Sequence, residues 1–168
     1  VNADPVSGMI TLRMDEAFQF TNGSYELTPR TRAQLRLLIP VYAKSLFDRP
    51  DGIRKVLAVS VTGYASPRFR KIYVDPYSND KEAYEYNLRL SMNRAQQITE
   101  YIFGTDIGEY SYKKLLKERT TASGKGYMEA IPVHENSEEI CGKYDCAESR
   151  RVQISFSVNE VNLAARGT

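Results

Sequence analysis

The stretch Lys81–Phe103 constrains this chain most, because it reads as one long amphipathic helix. Asn79 precedes it as a cap, with Glu82 three residues later in capping-box position. Gly104 ends it. Tyr84, Leu88, Ser91, Ala95, Ile98 and Ile102 recur at helical spacing and form the predicted core stripe. Asn87 and Arg94 share a different face with Ala83 and Leu90, rotated by roughly 60–80° from that stripe at about 100° per residue. Such a helix has two jobs. One face packs, and the adjacent one shows an amide and a guanidinium beside the loop of residues 63–66.

Strands and helices alternate along the rest of the chain. In residues 9–14, Ile10, Leu12 and Met14 alternate with Thr11 and Arg13, as in a strand. Thr28-Pro29 reads as a helix start, with Thr as N-cap and Pro in the first helical position. Leu35, Leu38, Ile39, Tyr42 and Leu46 follow, and Pro40 is expected to kink that helix or split it in two. The Val-rich run 55–62 predicts a buried strand ending at Gly63-Tyr64-Ala65-Ser66-Pro67. Residues 112–116 predict a short helical turn and 120–123 a weak third strand. Arg151–Val158 puts Val152, Ile154, Phe156 and Val158 on one face of a final strand. The order β-α-β-α-β-β predicts an α/β (α+β) sandwich, a small mixed sheet packed against two main helices. The domain is expected over residues 9–158, with insertions at 67–80 and 133–148. Residues 1–8 are read as a linker and 159–168 as a frayed tail.

Composition removes several functions. The chain has 168 residues, 42% hydrophobic, which suits one domain with a true core. Lys+Arg is 23 against Asp+Glu 21, too even a balance for a generic nucleic-acid binder. One histidine and two cysteines do not supply a metal cage, so no metal or cofactor is expected. The longest strongly apolar run lies around Val56-Leu57-Ala58-Val59, far short of the ~20 residues that span a bilayer. Val1-Asn2-Ala3-Asp4-Pro5 does not read as a signal peptide, so the chain is expected to be the exported part of a longer membrane protein. No nucleophile–base pair is evident, so an enzyme is not expected.

The helical face admits two readings. An Arg on a rigid helix binds a carboxylate bidentately, and a nearby Asn orients the same ligand. Alternatively Arg94 is a solvated helix charge. Arg68, Arg70 and Lys71 beside Tyr64, Phe69, Tyr73 and Tyr77 suit either stacking on sugars or nucleic acid, or a solvated loop with packing tyrosines. Gly124-x-Gly126 lacks the strand–turn–helix setting of a dinucleotide site.

Asn87-x-x-Leu90-Ser91-x-x-Arg94-Ala95 resembles the N-x-x-L-S-x-x-R-A signature of OmpA-like peptidoglycan-binding domains. Further blocks resemble that family in the right order: Phe20-Thr21-Asn22-Gly23-Ser24-Tyr25-Glu26-Leu27, Val59 to Ser66, Gly124 to Pro132, and Arg150-Arg151-Val152-Gln153-Ile154. The resemblance implies a non-catalytic site for the diaminopimelate of the peptidoglycan stem peptide. Arg94 would take the carboxylate, Asn87 would orient it, and Leu90 with Tyr86 would form an apolar flank. Tyr64 and Ser66 would complete the site from the strand-end loop. Ser66 stands where the family has an acid for the ligand's ammonium, and Ser149 where it has an asparagine. Asp75 or Asp80 is expected to supply the missing anion.

The long segment 67–80 resembles MotB-type stator subunits, which join a membrane-spanning helix to a periplasmic domain that grips the cell wall. Among these, the Tyr86-Asn87-Leu90-Arg94 face and the cysteine-bearing insertion are similar to the ZorB family of Zorya anti-phage defence. That implies a proton-driven motor with a ZorA-like (MotA-like) membrane subunit, and a homodimer of this domain against the wall. It also implies the periplasmic part of a single-pass inner-membrane protein. The alternative is a periplasmic dimerisation or interaction domain with weak or lost peptidoglycan binding. In a periplasm, Cys141 and Cys146 are expected to form a disulfide, with two free thiols or an interchain bridge as the other outcomes.

Overall fold

A mixed five-stranded sheet carries the chain, and two long helices pack with it around the core. The computed structural model describes residues 2–3, 8–13 and 27–158. Met14, the motif block 20–26 and the tail 159–168 lie outside the described residues. The elements run β1 (Asn2–Ala3), β2 (Ile10–Arg13), α1 (Pro29–Phe47), α2 (Gly52–Lys55), β3 (Val56–Gly63), β4 (Arg68–Phe69) and β5 (Ile72–Tyr73). They continue with α3 (Lys81–Phe103), α4 (Lys113–Arg119), β6 (Thr120–Gly124), β7 (Ile140–Cys141), β8 (Tyr144–Asp145), α5 (Cys146–Ser149) and β9 (Arg151–Val158). The sheet order is β1-β2-β9-β3-β6, with β3 parallel to β6 and β9 antiparallel to both β3 and β2. The expected order of main strands and helices is present. Part of the expected linker, Asn2–Ala3, pairs at the sheet edge.

Helix α1 starts as expected: the Thr28 hydroxyl accepts the Thr31 N–H at 3.1 Å. Pro40 does not split it. Leu35 and Ile39 before the proline and Tyr42, Ala43, Leu46 and Phe47 after it are all buried, so packing on both sides holds one axis. The cap of α3 is Asp80 rather than Asn79; its carboxylate accepts the Ala83 N–H at 3.0 Å. Glu82 is thereby displaced from capping-box position and pairs instead with Arg70 at 2.9 Å.

The expected stripe on α3 is half right. Ser91, Ala95, Ile98 and Ile102 are buried, but Tyr84 is exposed and Leu88 only partly covered. Ala83, Asn87, Leu90 and Arg94 are buried in their place. Two glycines set how closely the middle of the helix seats. Gly63 and Gly124 face each other across the parallel ladder of β3 and β6. A Cβ on Gly63 would collide with the Ser91 carbonyl oxygen, and one on Gly124 would come within 2.5 Å of the Ser91 Oγ. The helix backbone therefore rests directly on the strand ends, and only small residues fit beneath it. Ser91 secures the contact: its Oγ accepts the Gly126 N–H at 2.8 Å and donates to the Leu88 carbonyl at 2.8 Å.

The core joins Leu35, Ile39 and Phe47 of α1, Val59 and Val61 of β3, Ile98 and Ile102 of α3, and Val152 and Ile154 of β9. Each such side chain contributes roughly 1.5–3 kcal/mol by leaving water. The two insertions form hairpins, β4–β5 and β7–β8. Cys141 and Cys146 are joined in a disulfide, their Cα atoms 5.8 Å apart. Gly142 has φ +59, and the Tyr73 ring fills the space its Cβ would take, so the two insertions pack on each other.

Candidate functional site

The close seating of α3 fixes a cleft of about 260 Å³ at the end of β3. Ser66 lines it from the strand-end loop; Arg68, Arg70 and Lys71 come from the first insertion. Tyr86, Asn87, Leu90 and Arg94 come from α3, and Arg150 from just before β9. Five of the six expected binding residues are thus brought together. Tyr64 is not among them. It is buried beneath the Arg151 guanidinium, which lies 3.8 Å from its ring centroid. Its backbone carbonyl still bears on the site, accepting Arg94 Nη1 at 3.0 Å.

Arg94 is only 2% exposed, so the reading of a solvated helix charge does not hold. Its Nε has no hydrogen-bond partner, and no carboxylate pairs with it among the described residues. Burial, reinforced by the nearby Arg150 charge, lowers its pKa to about 10. It remains a guanidinium at neutral pH, with donor capacity unspent.

Asn87 is also buried, and its Nδ2 donates to the carbonyls of Arg68 and Ala83, both at 2.9 Å. The amide therefore ties the first insertion to the helix. Its Oδ1 is left as the group that can meet a ligand, as an acceptor only. Tyr86 packs against Phe69 with ring centroids 5.3 Å apart, which forms the expected apolar flank with Leu90.

The expected anion is not there. Asp80 caps α3, and Asp75 accepts the Tyr77 N–H at 3.0 Å in its own turn. Neither lines the cleft. A carboxylate at its border, Glu139 of the second insertion, bridges Arg68 at 2.5 Å and Arg150 at 2.6 Å. The hydrogen bond from Arg150 outweighs burial, and with the Arg150 and Arg68 charges it holds the Glu139 carboxyl below the usual range. Sequence reasoning missed Glu139 and placed Arg150 only in the block that leads into the final strand, since no local spacing links either to α3.

Arg151 and Ser149, next along the chain, serve the fold. Arg151 donates to the carbonyls of Ser149 and Glu129, and the Ser149 Oγ accepts the Ile131 N–H. His134 is less isolated than its sequence suggests. Its Nε2 lies 3.0 Å from Glu148 Oε2 and 3.7 Å from Asp145 Oδ2. Its Nδ1 accepts the Asn136 N–H at 3.3 Å, and the tautomer that matches this donates from Nε2 to the Glu148 carboxylate. Arg13 reaches the same Glu148 at 2.5 Å, fastening the insertion to β2.

No protein-family model and no curated protein matches this sequence. Among solved structures, the chain is similar to a periplasmic domain of Helicobacter pylori MotB, with 20% identity and a TM-score of 0.49 over 93% of this chain and 76% of that one. It is similar to the OmpA-like domain of FopA1 from Francisella tularensis, with 18% identity and a TM-score of 0.47 over 89% and 74%. It is also similar to a putative MotB-like protein from Desulfovibrio vulgaris, with 22% identity and a TM-score of 0.46 over 90% and 76%.

Proposed function

We propose that this chain is a non-catalytic peptidoglycan-binding domain that anchors a MotB-like, proton-driven membrane motor of the ZorA–ZorB type to the cell wall in anti-phage defence. The observation that carries the binding reading is Arg94, a buried guanidinium without a counter-ion among the described residues, on the wall of an open cleft. A purely structural arginine in such a place is normally paired, because an unpaired buried charge costs stability. A carboxylate of the stem peptide completes the pairing. The motor and defence context rests on the sequence resemblance of the α3 face and the cysteine-bearing insertion. The reading places the domain in the periplasm, tethered by a single membrane span to a ZorA-like partner.

A second reading, an interaction or dimerisation domain with weak wall binding, draws on Leu37 and Val41. These lie one turn apart on α1 and are 74% and 66% exposed. The homodimer belongs to both readings.

The test is co-sedimentation with purified sacculi. The wild-type domain is expected to pellet with the wall, and folded Arg94→Met to stay in the supernatant. Equal pelleting of the two would sink the site. Failure of the wild type to pellet would favour the second reading.

A further inference from the structure

We infer that the cleft reads its ligand as a polyanion and is indifferent to the charge on the ligand's amine, so that it accepts stem peptides whose diaminopimelate amine is acylated in a cross-link. This deepens the wall-binding proposal and rests on it.

The first support is the balance of charge. Arg68, Arg70, Lys71, Arg94 and Arg150 all line the cleft, and no carboxylate of the described residues does. Glu139 and Glu82 offset part of that charge from the border, through Arg68, Arg150 and Arg70. Lys71 and Arg94 have no ion-pair partner among the described residues. An ammonium entering here gives up its hydration among cations, and the border carboxylates are already paired with arginines.

The second support is the backbone. Arg70 and Lys71 are the two turn residues between β4 and β5, with φ of 50° and 67°. Asn and Gly are the usual occupants of that conformation, and other residues pay roughly 1–2 kcal/mol each. Two long cations held in strain at the rim of the cleft place charge where a second anionic group of the ligand arrives.

The third support is the polar groups that remain. The Ser66 hydroxyl and the Asn87 Oδ1 are neutral acceptors on the cleft wall. A neutral acceptor satisfies an amide N–H fully, whereas it leaves the charge of an ammonium uncompensated. Cross-linking turns that amine into an amide and leaves the adjacent carboxylate intact, so the ligand loses a positive charge and keeps the group Arg94 needs.

Two synthetic tripeptides, L-Ala–γ-D-Glu–diaminopimelate with the side-chain amine free or acetylated, test this by calorimetry. The acetylated peptide is expected to bind within about threefold of the free one, or tighter. A loss beyond about threefold on acetylation, with the free peptide still bound, overturns the inference and leaves wall binding standing. Binding of neither peptide removes the wall-binding reading and the inference with it. Ser66→Asp should restore a preference for the free amine of at least about tenfold, and an unchanged ratio counts against the inference. Lys71→Gln should weaken both peptides alike by severalfold, and no weakening would remove the rim from the argument.

Discussion

The two halves of α3 are equally buried and chemically opposite. The C-terminal half buries Ala95, Ile98, Tyr101 and Ile102. The N-terminal half buries Ala83, Asn87, Leu90, Ser91 and Arg94. In the first set, burial is the source of stability. In the second, it is tolerated at a cost: two Asn87 hydrogen bonds go to backbone carbonyls, and Arg94 holds a charge against the Tyr64 carbonyl with no carboxylate beside it among the described residues. What keeps the polar half in place is the seat formed by Gly63 and Gly124, together with the apolar half that continues the same rigid rod. One element thus serves as ballast at one end and as instrument at the other.

If the two halves divide the labour, substitutions in each should have separate consequences. Ile98→Ala in the apolar half should cost about 2–5 kcal/mol of unfolding free energy, because a fully buried side chain leaves a cavity. Sacculus binding per folded molecule should not change. Lost binding in folded Ile98→Ala would mean that the helix has no division of labour. The next effect is smaller and lies outside the helix. Replacing Cys141 and Cys146 by Ser opens a short loop, which should cost about 2 kcal/mol by the chain-entropy argument. The Cys146 N–H donates to the Glu139 carbonyl at 2.7 Å, so the loosened hairpin carries the partner of Arg68 and Arg150. Wall binding should weaken severalfold without vanishing. Complete loss would move the heart of the site from α3 to the insertion.

How much of this was legible depended on the range of the interaction. Arg151–Val158 was readable because its alternation is local, and the observed strand has those bounds. The Asn87, Leu90 and Arg94 face was readable because helical spacing alone aligns it. Asn79 and Asp80 are both good caps, and only the three-dimensional course of the chain selects Asp80. Tyr84 looked like core because it is large and aromatic. Ala83 is buried in its place, and Tyr84 faces the Tyr127 ring, 6.0 Å away. Glu139 was out of reach, since its pairing with Arg68 and Arg150 depends on two insertions folding against each other. The same applies to the missing anion: Asp75 and Asp80 carried the right charge near the right helix, but local turns had already claimed them.

The smallest effect is the one that best separates ballast from instrument, because its sign is unusual. Burial lowers the Arg94 pKa from the ordinary arginine value to about 10, which corresponds to a cost on the order of 3 kcal/mol for keeping the charge in the unliganded fold. Arg94→Met removes that cost but leaves the buried Tyr64 carbonyl without its donor, at about 2 kcal/mol. The variant should therefore unfold at the same temperature as the wild type or slightly higher, a net gain of about 1 kcal/mol, while losing the wall. The pH dependence fixes the cause. A base whose folded-state pKa lies below its unfolded value destabilises the fold fully below that folded value. The penalty fades as pH rises through about 10 and beyond, so the gap between variant and wild type should close there. Denaturant titrations at neutral pH and above pH 10 measure this gap. A variant that is instead less stable than the wild type at neutral pH would make Arg94 a structural residue. The polar half of α3 would then be ballast like the other.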